Sequence, residues 1–176
     1  VYLKGVTYGP FASNAGGEPF PSPGHTARDF ALARELGANL LRLYDVPPRW
    51  LLDLAATHDL LLLIDIPWNK HLCFLDSPTL RAAAREAVRR AVAATARHPA
   101  VFAYSVANEI PPDIARWGGA AKVADFLDEL VLEARTELQI AAVDLRQLLF
   151  TDDAGELLDL FHPRVGGVQL AGQTRM

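Results

Sequence analysis

The chain of 176 residues is short of cysteine, of clustered basic residues and of long apolar runs, and each shortage removes a class of function. Its single cysteine, Cys73, excludes an intrachain disulfide and a thiolate-built zinc site, and points to a reducing compartment. Lys and Arg number 17 against 21 Asp and Glu, for a net charge of -4, and they are scattered. No electrostatic footprint for nucleic acid or an anionic membrane results. No stretch approaches the roughly 20 uninterrupted apolar residues of a membrane helix. The richest run, Leu60 to Trp68, already contains Asp65 and Pro67. The opening Val1-Tyr2-Leu3-Lys4 lacks the sections of a signal peptide, so a cytoplasmic location is expected. His25, His58, His71, His98 and His162 form no i, i+4 pair, no glycine-rich phosphate loop follows a strand, and Ser105 lies in no nucleophile elbow. No metal or other cofactor is implied.

What is present is a foldable composition, 51% hydrophobic and 22% charged, in a length that suits one domain. Short apolar runs alternate with segments of helical period, the pattern of βαβ units around a parallel sheet. The expected strands are Leu3 to Gly9, Asn39 to Tyr44, Leu60 to Ile66 and Val101 to Ala107. Between them fall a helix over Ala27–Leu36 capped by Thr26, a short helix over Trp50–His58 after Pro47-Pro48, and a long one over Leu80–Arg97 capped by Ser77 and closed by His98-Pro99. The third strand is apolar on both faces and is expected to be buried on both. Ile110 to Asp113 reads as a loop and Ala121 to Leu138 as a fourth helix. Residues 1–140 thus form four βα units, and 141–176 a tail with weaker apolar runs at Leu148–Phe150, Leu157–Phe161 and Val165–Leu170.

In parallel α/β proteins the reactive groups collect at the carboxyl ends of the strands. Here those ends carry Tyr8, then Arg42 with Tyr44-Asp45, then Asp65 and Trp68, then Asn108-Glu109. A carboxylic acid beside a side-chain amide suits glycosidic cleavage, in which an acid protonates the leaving oxygen and an amide holds a ring hydroxyl. An arginine inside a strand of leucines needs a partner, and Asp45 and Asp65 are both within reach. Trp68, Tyr8 and Trp117 each fit either a sugar-stacking platform or packing at the end of the sheet, Trp117 more readily the latter because it lies in a Gly-rich loop.

The segments "GVTYGPF", "LGANLLRLYDVPPRWLLDLAATHDLLLLIDIPW" and "RHPAVFAYSVANEIP", in that order and spacing, resemble the catalytic barrel of clan A glycoside hydrolases, most closely the core of glycoside hydrolase family 2. The resemblance covers roughly Leu3 to Trp117, is compatible with the helix that follows, and does not reach the tail. It implies a (β/α) TIM-type barrel, present in its amino-terminal part, that hydrolyses β-glycosidic bonds with retention. It further implies Glu109 as acid/base, Asn108 as the amide for the sugar 2-hydroxyl, and Arg42 as the arginine that supports the nucleophile. Two residues depart from the pattern: Ala107 stands where the family usually has Gly, and Tyr104 where Trp is common.

A retaining reaction needs a second carboxylate about 5–5.5 Å from the first, which the resemblance puts on a seventh strand, and a whole barrel takes about 250 residues. Asp152, Asp153 and Glu156 read as a turn entering a helix rather than a strand end. The match stops abruptly near Arg135, as truncation or a change of reading frame would produce. The expectation is an acid/base half-site that binds carbohydrate, with open sheet edges that pair with a missing carboxyl-terminal half-barrel or a second copy. The competing expectations are a non-catalytic half-barrel that binds sugar or a partner, and an unrelated barrel lyase or aldolase, for which only Lys70 offers an amine near a strand end.

Overall fold

The computed structural model describes residues 2–149, with side chains described through residue 139. One compact unit comprises Val1–Ala142; a second begins at Val143, and of it only the backbone to residue 149 is described. The order is β1 (Gly5–Tyr8), α1 (Pro23–Glu35), β2 (Leu40–Leu43), α2 (Arg49–Thr57), β3 (Leu61–Asp65), a 3-10 turn (Phe74–Asp76), α3 (Pro78–Thr95), β4 (Val101–Ser105), α4 (Pro112–Gly118) and α5 (Ala120–Leu149). The apolar runs Leu157–Phe161 and Val165–Leu170, with Asp152, Asp153 and Glu156, lie outside the described residues.

All neighbouring strands are parallel in the order β1-β2-β3-β4, so their carboxyl ends share one rim. This is an α/β partial barrel. The register sets Arg42 beside Leu63 and Asp65 beside Ser105, while Leu43, Ile64, Tyr8 and Tyr104 fall on the opposite parity. Strand pleating therefore makes two faces. One, with Leu41, Leu43, Leu62 and Ile64 at most 1% exposed, packs beneath the helices. Each of these residues contributes roughly 1.5–3 kcal/mol on burial. The other face carries Arg42, Leu63 and Asp65. On β3 its Leu61 and Leu63 are only half-buried, so burial on both faces, as expected for this strand, is complete on one.

Two helix starts differ from expectation for one reason, proline. α1 begins at Pro23 rather than after Thr26, which is buried inside the helix with its hydroxyl 3.5 Å from the Pro21 carbonyl. α4 begins at Pro112, within the segment expected as a loop, and carries Trp117 on a helix rather than in a loop. Proline has its φ preset for the first helical turn and lacks only an N–H that would have no partner there. Ser77 caps α3 as expected, accepting from the Leu80 N–H at 3.3 Å. α5 runs past the expected end at Leu138 to Leu149. Among the described residues no helix is long and apolar enough to cross a membrane.

Candidate active site at the carboxyl ends of the strands

Arg42 is the hub. It lies on the face away from the helices, among leucines, where a charged side chain is held only by strong partners. Its Nε and Nη2 both donate to Asp65 Oδ2, at 3.0 and 2.8 Å, and Nη2 also donates to Asn108 Oδ1 at 2.7 Å. Asp65, not Asp45, is thus its ion-pair partner. The hydrogen bond to Asp65 raises the Arg42 pKa from its ordinary value. Asp65 is 4% exposed, and its second oxygen, Oδ1, is buried without a hydrogen bond. The Tyr44 ring lies 5.2 Å beneath the guanidinium.

These contacts fix the Asn108 amide. Guanidinium has donors and no acceptor, so the amide must turn its oxygen to Arg42 and leave its NH2 to donate elsewhere. Glu109 follows in the left-handed region, at φ 46°, with its side chain exposed. Upstream, Ser105 Oγ donates to the Ala107 carbonyl at 2.9 Å, and Trp68 Nε1 to the Val106 carbonyl at 2.7 Å, so two side chains brace the backbone that presents the pair. Arg42 bonds both Asp65 and Asn108, and Glu109 follows Asn108 in the chain.

The aromatic residues are engaged elsewhere. Trp68 packs edge-on against Phe74 and Phe126, at centroid distances of 5.0 and 5.9 Å. Tyr8 packs against Phe11 and Phe30 and donates its hydroxyl to Asp29 of α1 at 2.8 Å; burial pushes its pKa up. Tyr104 lies on the helix side, its hydroxyl 2.7 Å from that of Thr95, and burial pushes its pKa up to about 12. Trp117 is 73% exposed and donates to Asp76 at 2.7 Å. Among the described residues no group of three or more His, Cys, Asp or Glu is arranged to hold a metal ion.

One rim feature had no signal in the sequence. Beside β1 and β2 a cleft with about 30 Å³ of water-sized space is lined by Tyr8, Phe11, Phe20, Tyr44 and Asp45, among others. Asp45 is half-buried there, and its desolvation raises its pKa above the ordinary aspartate value. Pairing of β1 with β2 brings Tyr8 beside the segment that carries Tyr44 and Asp45, and the loop after β1 supplies Phe11 and Phe20.

No family model matches the chain, and no curated protein matches it by sequence. Solved structures do. A Bifidobacterium dentium β-glucuronidase, in complex with coumarin-3-O-glucuronide, superposes with a TM-score of 0.64 at 20% identity over 77% of this chain and 22% of its own. Bacteroides uniformis β-glucuronidase 3 gives 0.64 at 22% identity, over 77% of this chain and 17% of its own. A Ruminococcus gnavus β-glucuronidase bound to a C6-substituted uronic isofagomine gives 0.60 at 21%, over 78% and 23%. The chain thus shares its fold with part of these enzymes and spans about a fifth of their length.

Proposed function

We propose that this chain is the acid/base half of a glycoside hydrolase barrel that cleaves β-O-glycosyl bonds with retention. Glu109 is the acid/base, Asn108 donates its amide to a ring hydroxyl oxygen, and Arg42, held by Asp65, keeps that amide turned outward. The observation that carries this reading is the 2.7 Å hydrogen bond from Arg42 to Asn108. It commits the amide to a donor role immediately before an exposed carboxylate. Tyr8 and Trp68 serve as walls rather than stacking platforms, since packing and hydrogen bonds already hold both.

Asp65, on the same face, is committed to Arg42 and is not assigned as the nucleophilic carboxylate. The same commitment favours a second reading, a half-barrel that binds carbohydrate without cleaving it. One assay separates the two. The purified chain is incubated with aryl β-glucosides, β-galactosides and β-glucuronides, alone and with a separately expressed carboxyl-terminal half-barrel of a similar enzyme. Turnover in either mixture that falls at least a hundredfold in Glu109→Gln supports catalysis. Saccharide binding that needs Asn108, with no turnover in any mixture, supports the binding module.

A further inference from the structure

The cleft between the ends of β1 and β2 differs from the rest of the rim in its charge. Among the described residues no ion pair joins Asp45, and no cation is among the residues that line the cleft. Arg42, the nearest cation in sequence, turns its Nε and Nη2 to Asp65 and Asn108. The half-desolvated Asp45 carboxylate takes a backbone hydrogen bond from Val46 and keeps further acceptor capacity beside the rings of Tyr8, Phe11 and Tyr44. Both features suit one ligand class, a polyol with adjacent hydroxyl groups on an otherwise apolar carbon edge, because a carboxylate has two oxygens that can each accept an O–H.

Size narrows the fit. A space of about 30 Å³ exceeds the ~10–15 Å³ that one water occupies by this measure. It takes two hydroxyl-sized groups and excludes a whole pyranose ring, which must lie across the mouth. Tyr44 belongs both to the cleft and to the Arg42 cluster, so a ring spanning the mouth reaches the Asn108 side of the rim.

We propose that this cleft is a subsite for two adjacent hydroxyl groups of a neutral pyranoside, received by Asp45, and that it turns uronates away. The inference rests on the carbohydrate-binding reading above and deepens it. The three solved structures described above are β-glucuronidases, two of them bound to uronic ligands. This chain sets a carboxylate with no cation beside it at its own rim, where a second carboxylate is repelled.

The test measures affinities of the full chain for methyl β-D-glucopyranoside and methyl β-D-glucuronide at neutral pH by ligand-observed NMR. The wild-type chain is expected to prefer the glucopyranoside by about tenfold or more, given the cost of like charges in a half-desolvated site. Asp45→Asn, of equal size and without the charge, brings the ratio close to one, chiefly by improving the glucuronide. Asp45→Ser does the same and loses affinity for the glucopyranoside. Asn108→Ala weakens both ligands equally, which reports on the site reading by itself. A ratio unmoved by both Asp45 variants, a wild-type preference for the glucuronide, or no binding of either ligand overturns the proposal. A ratio that collapses in Asp45→Asn while Asn108→Ala changes nothing leaves the cleft standing and removes Asn108 from the site.

Discussion

At the scale of single residues, Arg42 and Asp65 are unequal partners, and the inequality is measurable. The Arg42 side chain is 34% exposed and that of Asp65 5%. Removing Arg42 strands a buried carboxylate that already has one oxygen without a partner, whereas removing the Asp65 charge leaves a guanidinium that can turn to water. Arg42→Leu is therefore expected to cost roughly 3 kcal/mol in urea unfolding, and Asp65→Asn about 1 kcal/mol. Equal losses would refute the asymmetry. That Arg42 needed an acidic partner was legible from its setting among leucines. Which partner was not, because Asp65 comes within reach only through the β2-β3 register, which sets Arg42 beside Leu63 on the same face.

At the scale of elements, α2 is clamped to the turn after α3 by a side-chain pair that sequence patterning could not show. His98 is 6% exposed, and its Nδ1 accepts from the Ala100 N–H at 3.2 Å. The other ring nitrogen, Nε2, therefore carries the hydrogen and donates to Asp53 Oδ1 at 3.0 Å. This hydrogen bond, followed by one from Arg49, lowers the Asp53 pKa. A carboxylate whose folded pKa lies below its unfolded value adds stability above the unfolded pKa, near 3.9, and loses it as pH falls through the folded one. Thermal melts from pH 6 down to pH 2 should show the wild-type chain losing its advantage over Asp53→Asn in the lower part of that range. A constant difference would assign the clamp no linkage. In the sequence, His98-Pro99 reads correctly as the stop to a helix. Its long-range bond is invisible there because Asp53 is 45 positions away. The prolines at the heads of α1 and α4 were visible but ambiguous, since the same residue ends one helix and opens the next.

At the scale of the whole molecule, the four-stranded sheet has β1 and β4 at its edges among the described residues. Short parallel edges with half-buried neighbours invite further strands. Sedimentation velocity is expected to show concentration-dependent association of the chain. Ala103→Lys, which sets a charge on the inner face of β4 where Ala103 pairs with Leu63, should weaken that association with little loss of fold. An unchanged distribution would mean that the edges are not the contact. The rhythm of βα units and the shared rim were legible at this scale, because alternation and strand-end chemistry are written locally. The cleft at Asp45 was not, because its walls come from separate segments that the folded chain brings together.

The backbone of Glu109 sits at φ 46°, a region that glycine enters freely and that glutamate enters only at a cost. Selection for folded abundance alone should therefore prefer Gly, Asn or Asp at this position, with Glu109→Gly more stable by about 1 kcal/mol. Variant libraries sorted only for protease resistance would display that preference, and Glu outranking Gly in them would contradict it. Under the proposed acid/base role, position 109 is a place where durability and usefulness pull in opposite directions. In a lineage freed from any task at the rim it is among the first codons expected to drift, so a glutamate that persists there is a record of use.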